Sequence, residues 1–233
     1  MNIIVSKFYT VKDHTKWYGD RTHEVDLEKN YKAMIEVMKD SAKQYVEDLD
    51  DIIIHTGTVS DIRTAFEHHY WQVRQLWKEG HNILYVDADV LFTKPLKIFG
   101  VFDEFKMFNY TDPRSLNQHP YVFEHYYNCG VRYFPSDLSE DIWAIGDAGF
   151  TDMDRTYWDS EQRIYNDMLW SQNSNENHFH PELAYQAVSG IPANDNVFNT
   201  ISMDSAKIVH VHGSRGSGNR LNTMKNIREK YNA

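Results

Sequence analysis

Residues 1–90 alternate between short unbroken apolar runs and longer stretches whose apolar positions return every three or four residues. Ile3, Ile4 and Val5 lie in the first run, residues 2–8, which predicts a strand buried on both faces. Leu27, Tyr31, Met34, Ile35, Met38, Ala42, Tyr45 and Leu49 follow the helical period, with Asp26 placed to cap the start. Ile52, Ile53 and Ile54 make a second strand, which Gly57 is expected to break. Ile62, Ala65, Phe66, Tyr70, Val73, Leu76 and Trp77 mark one face of a second helix. Ser60 or Asp61 can cap it and Gly80 can close it in a left-handed conformation. Residues 82–86 form a third buried strand. This βαβαβ order predicts a parallel sheet with right-handed crossovers.

Beyond Phe92 the pattern loosens. Residues 126–134 and 207–212 are strand-like and residues 160–172 are helical. The loops between them, notably 171–180 and 191–199, are rich in Asn, Asp, Ser and Pro and read as walls of a site on one α/β domain. No internal repeat or domain boundary interrupts the chain. At 233 residues it is long enough to bury a core without staples. The single cysteine, Cys129, excludes an intramolecular disulfide and a multi-cysteine zinc site, and reads as a small buried residue. No apolar run approaches the ~18 residues of a membrane span. The N-terminus turns polar at Ser6 and Lys7, too early for a secretory signal, so a cytoplasmic setting is expected.

The net charge of −10 is unevenly spread. From Lys207 onward there are six bases and one acid, Glu229, so that tail carries +5 and the rest −15. An acidic body is a poor generic binder of nucleic acid. The basic tail reads either as a solvated terminal helix or as an anion clamp.

Chemistry concentrates where the third strand ends. Asp87 and Asp89 flank Ala88 directly after Leu84-Tyr85-Val86. Open α/β sheets bind ligands beyond the carboxyl ends of their strands, and residues i and i+2 project to one side. The two carboxylates can therefore converge on one hard cation, Mg²⁺ or Mn²⁺, of the kind that shares its shell with a diphosphate. Asp48-Leu49-Asp50 and Asp152-Met153-Asp154 have the same spacing but no buried strand before them, and read as solvated turns.

The segment Leu84-Tyr85-Val86-Asp87-Ala88-Asp89-Val90-Leu91 resembles the Asp-x-Asp segment of GT-A nucleotide-sugar glycosyltransferases, especially the glycogenin-like retaining group. Three more segments resemble that family in its order: Tyr127-Asn128-Cys129-Gly130-Val131, Ser160-Glu161-Gln162-Arg163-Ile164-Tyr165-Asn166, and Ile208-Val209-His210-Val211-His212-Gly213. Glu161 and Arg163 stand where the family has aspartates. Its late Lys-Pro-Trp is replaced by residues 214–220, which contain Arg215 and Arg220.

The resemblance implies a single GT-A-like (Rossmann-like) domain over 1–233, with a mainly parallel central sheet and helices on both faces. Within it, 1–90 would be the nucleotide-binding half, 91–212 the acceptor side and 213–233 a basic lid and tail. It implies a metal-dependent hexosyl- or pentosyltransferase that takes a nucleotide-sugar donor, UDP-sugar favoured, and retains the anomer. Mn²⁺ or Mg²⁺ would be held by Asp87, Asp89 and His210, with His212, on the same strand face, as the substitute. Asp89 would be the direct ligand, with Asp87 on the metal or the ribose. Glu161 and Gln162 are the catalytic candidates, beside Asn128 and Ala88 on the donor side. Phe8, Tyr9 and Thr10 are placed to meet a nucleobase. Arg63 or Arg74 would meet the donor from the second helix, and Gly213, Arg215 and Arg220 would close over the diphosphate.

Two rivals carry different expectations. Asp87-Ala88-Asp89-Val90 also fits a haloacid-dehalogenase-like phosphatase with Asp87 as nucleophile and Gly146-Asp147 with Asp152 as its late acidic motif. No lysine occurs between Lys106 and Asp147, where that fold needs one. A non-catalytic nucleotide-sugar-binding module is the other rival. For the acceptor, a saccharide is favoured, and a lipid-linked sugar, a protein or a modified DNA base stays open.

Overall fold

A computed structural model of the chain describes residues 1–12, 26–110, 127–153, 160–172, 183–188, 202–212 and 217–232. Its elements are β1 (Asn2–Val11), α1 (Leu27–Tyr45), β2 (Asp51–Val59), α2 (Ile62–Lys78), β3 (Asn82–Val86), β4 (Val90–Phe92), β5 (Lys106–Tyr110), β6 (Tyr127–Phe134), α3 (Glu140–Thr151), α4 (Ser160–Trp170), β7 (Ala184–Val188), β8 (Ile208–His212) and α5 (Ser217–Asn232). The central sheet has the order β2-β1-β3-β6-β5. β1 pairs in parallel with β2 and β3, and β6 runs antiparallel to both β3 and β5. The expected βαβαβ half is present, and β6 is the one strand of this sheet that runs against the others. A second sheet has the order β4-β8-β7.

Period-two alternation along β1 and β3 sorts the core into two layers. Ile4, Leu84 and Val86 face Met34, Ile35 and Met38 of α1, Leu221 and Met224 of α5, and the second sheet. Ile3, Val5, Ile83 and Tyr85 face α2, α3 and α4 through Tyr70, Trp143 and Met168. Helices thus cover both faces, as expected of this fold class.

Several local expectations change. Gly57 does not end β2; it sits opposite Tyr9 in register, and a Cβ there would already touch the Tyr9 ring at 3.4 Å. Asp26 precedes α1 in a left-handed conformation (φ 71°) and makes no side-chain cap bond. Asp61, in contrast, accepts hydrogen bonds from the backbone N–H of Arg63 and Thr64 at 3.0 and 2.9 Å, which hold its carboxyl down to about 2. Gly80 closes α2 at φ 83°. Helix α3 forms despite Gly146 and Gly149, which lower its helix propensity. Packing requires them: a Cβ at Gly146 would lie 2.5 Å from Tyr70 Oη, and one at Gly149 2.8 Å from Ile164.

Candidate active site

β3 belongs to the central sheet and β4 to the second, so Asp87-Ala88-Asp89 is the hinge between the two sheets. Both sheets hold its backbone. The Asp87 N–H donates to the Gly130 carbonyl of β6 at 2.8 Å, and the Val211 N–H of β8 donates to the Asp89 carbonyl at 2.8 Å. Antiparallel pairing sets His210 opposite Val90. That register carries the imidazole to the hinge: His210 Nε2 lies 3.3 Å from Asp89 Oδ1 and 3.9 Å from Asp87 Oδ2. One ligand-capable atom from each of the three residues falls within 4.8 Å of the others. Asp89 and His210 are buried, while Ala88 packs inward beside them.

The set fits a hard divalent cation. Two carboxylates and an imidazole suit Mn²⁺, and Mg²⁺ less well. The close approach of these side chains depends on Gly130, where a Cβ would stand 2.4 Å from His210 Cε1 and 2.9 Å from Asp87 Oδ2. The Gly130 N–H donates to Asn128 Oδ1 at 2.8 Å, which brings Asn128 to the same edge.

The electrostatics follow from burial and proximity. Burial raises the Asp87 pKa, and the Asp89 charge adds to this against Lys7 and His210. For His210 burial works downward, but the Asp89 and Asp87 carboxylates outweigh it and the net shift is up. Arg220 of α5 supplies a further cation, its Nη1 2.7 Å from Asp89 Oδ2 and its Nη2 donating to Tyr31 Oη at 2.6 Å.

Glu161 begins a second cluster, at the N-terminal turn of α4. Its Oε1 lies 2.8 Å from Lys7 Nζ of β1 and 3.5 Å from Arg132 Nη1 of β6. Tyr85 links the clusters: its ring packs on Arg132 and its O–H donates to Asp87 Oδ1. Gln162 accepts from the Cys129 N–H at 3.3 Å, and Asn166 exchanges two 2.9 Å bonds with the Tyr127 backbone, so α4 grips β6 along one face. Burial pushes the Cys129 thiol up to about 12, consistent with an inert packing residue.

Other candidates sit as follows. Phe8 and Tyr9 are half-buried and Thr10 exposed at the end of β1, and Tyr9 Oη donates to Gln72 Oε1 at 2.6 Å. Arg63 is buried in the first turn of α2. Arg74 is buried on α2 and pairs with Glu140 and, at 3.4 Å, with Asp147, both of α3. The lid also changes: residues 217–220 are the first turn of α5, which places Arg220 on a helix. Gly213 and Arg215 lie outside the described residues. His212 ends β8, two residues beyond His210.

Lys7, Tyr31, Tyr85 and Arg132 were missed by the sequence reading. Arg132 alone left a signal, a cation inside the apolar run Val131-Arg132-Tyr133-Phe134. The phosphatase reading loses its late motif, because Asp147 is held by Arg74 and by the Tyr70 O–H at 2.6 Å, and Asp152 is the α3 C-cap. Among the described residues no helix is long and apolar enough to cross a membrane.

No family model matches the sequence, and no curated protein does. The fold is similar to that of a solved glycosyltransferase involved in the glycosylation of the major capsid of PBCV-1. The TM-score is 0.57 at 13% identity, covering 96% of this chain and 98% of the other. At that identity the likeness speaks to architecture: this chain shares that protein's fold, with an Asp-Asp-His cluster at the carboxyl edge of its central sheet.

Proposed function

We propose that this chain is a glycosyltransferase that moves a sugar from a nucleoside-diphosphate donor, UDP-sugar favoured, to an acceptor hydroxyl with retention. The observation that carries the reading is the convergence of Asp87, Asp89 and His210 at the hinge between the two sheets of a glycosyltransferase fold. These three residues would hold Mn²⁺ or Mg²⁺, with His212 as the substitute for His210. When bound, the cation would supply the positive charge that a departing diphosphate needs.

The chain's own groups do the rest. Gly130 and Val211 hold the backbone of Asp87 and Asp89, which presents both carboxylates at one edge. Arg220 is aimed at the same edge and would meet phosphate oxygens, as would Arg215. Phe8, Tyr9 and Thr10 would border the nucleobase, and Arg63 the donor on the α2 side. Asn128, Glu161 and Gln162 would face the sugar, where Glu161 stabilises positive charge near the anomeric carbon or attacks it transiently. Gln162 is anchored to the Cys129 N–H, which fixes the start of α4 against β6. A saccharide is the favoured acceptor.

A screen of UDP-, GDP- and other nucleotide sugars for hydrolysis with Mn²⁺ tests the reading. Turnover of one donor, lost in Asp89→Ala, supports it. Mn²⁺-dependent donor binding without any hydrolysis or transfer would favour a binding module instead.

A further inference from the structure

Arg132 is fully buried in the middle of β6, flanked by Val131, Tyr133 and Phe134, which are buried as well. Taking a guanidinium out of water is costly, and an apolar side chain of similar volume at such a position is often neutral or stabilising. The strand therefore has no need of a charge there. What surrounds the charge is specific. The guanidinium carbon lies 3.8 Å from the Tyr85 ring centroid and 3.7 Å from that of Tyr165, a cation between two aromatic faces. Nη1 is 3.5 Å from Glu161 Oε1, while Nε and Nη2 have no hydrogen-bond partner among the described residues. Tyr85 and Arg132 are cross-strand neighbours in the β3–β6 register, and Tyr85 is the residue whose O–H reaches Asp87.

Arg132 thus touches one member of each cluster, Glu161 directly and Asp87 through Tyr85. We propose that Arg132 is a positioning residue that locks the sugar-side carboxylate and the metal-side carboxylate into one geometry. It acts through Glu161 and Tyr85 and meets no substrate itself. Lys7 shares Glu161 Oε1 from the other side at 2.8 Å, so the carboxylate is held between two cations from different strands. The kinetic part of this inference rests on the glycosyltransferase reading; the coupling among the three side chains does not.

The test uses Arg132→Met, Arg132→Lys, Glu161→Gln and the double variant Arg132→Met/Glu161→Gln, each in the full chain. Three readouts apply: thermal stability, Mn²⁺ affinity by calorimetry, and kcat and KM for the donor that the wild-type protein hydrolyses. Arg132→Met leaves Glu161 beside Lys7 alone, so its stability change and that of Glu161→Gln should be non-additive. Mn²⁺ affinity should fall about tenfold, as when a group supporting a metal ligand is removed. Donor kcat should fall about a hundredfold with KM nearly unchanged, the scale of a small misplacement at a reacting centre. In the Glu161→Gln background Arg132→Met should cost less kcat than it does in the wild type, the remainder being the part carried through Tyr85 to Asp87. Arg132→Lys keeps the charge without the planar stack, so it should fold and recover only part of the loss. Additive stability effects with unchanged Mn²⁺ affinity overturn the proposal, whether or not any donor is turned over. A wild-type protein that hydrolyses no nucleotide sugar, but whose Arg132 variants show the stability coupling and the loss of Mn²⁺ affinity, overturns the glycosyltransferase reading and leaves Arg132 as a positioning residue.

Discussion

Arg220 Nη1 lies 2.7 Å from Asp89 Oδ2, so the first turn of the C-terminal helix delivers a guanidinium into the carboxylate cluster. The other oxygen of Asp89 faces His210 at 3.3 Å. One carboxylate is therefore shared between an internal cation and the imidazole beside the proposed metal position. Arg220 is steadied by Tyr31, which accepts from Nη2 and turns its ring toward the guanidinium at 5.2 Å.

This arrangement has an unusual signature. A guanidinium that repels a metal cation weakens metal binding in the absence of an anion and strengthens diphosphate binding once the metal is in place. Arg220→Gln should bind Mn²⁺ alone more tightly, by about tenfold, the effect of one unit charge at partly screened distance. The same variant should bind UDP with Mn²⁺ more weakly. Titration calorimetry with Mn²⁺ alone and then with UDP reads both signs. Equal weakening of both would show that Arg220 merely props Asp89 in place.

Gly130 should tolerate no side chain. Gly130→Ala adds a Cβ at 2.4 Å from His210 Cε1 and 2.9 Å from Asp87 Oδ2. Overpacking of this kind costs about 1–3 kcal/mol, and here the strain falls on two proposed metal ligands. We expect a folded protein of lower Tm with Mn²⁺ affinity reduced at least tenfold, an effect on the scale that disturbed ligand support produces. Wild-type Mn²⁺ affinity in a folded Gly130→Ala protein would show that the cluster does not bind the ion.

Stability should fall on mild acidification through a buried histidine pair. His55 and His69 face each other with their Nδ1 atoms 3.0 Å apart, so one donates and the other accepts. Burial lowers the His55 pKa from 6.5 to about 4 and holds that of His69 well below 6.5. Below pH 6.5 the unfolded chain takes up protons that the folded chain refuses, so stability is full above 6.5 and is lost progressively toward pH 4. His210 has the opposite sign. Its pKa is raised, so its contribution is complete below 6.5 and is lost as pH climbs through the folded value. Urea melts from pH 8 to 4.5 should show an acid limb that begins below pH 6.5. His55→Asn keeps a hydrogen-bonding group without titration and should flatten the acid limb; an unchanged acid limb would place the titration elsewhere.

The parts of this site that could be read from sequence are those encoded locally. Asp87 and Asp89 follow a buried strand, and strand ends are where such sheets bind ligands. His210 alternates with buried Val209 and Val211 and so belongs to a strand. The parts that could not be read depend on distant pairings. Lys7 meets Glu161 across 154 residues and Arg132 meets it across 29. No periodicity encodes either contact. For Arg74 a helix face shows only that a cation is present, and its partners Glu140 and Asp147 sit on α3, 66 and 73 residues away. Arg220 lies beside Asp89, and the glycines around it suggested a loop where the chain forms the start of α5.

Asp87, Asp89 and His210 are proposed as a divalent-metal site that takes a nucleoside diphosphate. The most direct measurement is calorimetric titration of UDP into the full chain, with Mn²⁺ and then with excess chelator, for wild type, Asp89→Ala and His210→Ala. An unshielded diphosphate is repelled by the two carboxylates, so wild-type binding should require Mn²⁺. Asp89→Ala should abolish Mn²⁺-dependent binding, and His210→Ala should weaken it sharply. Undiminished UDP binding in excess chelator, or wild-type affinity in both variants, would contradict the claim.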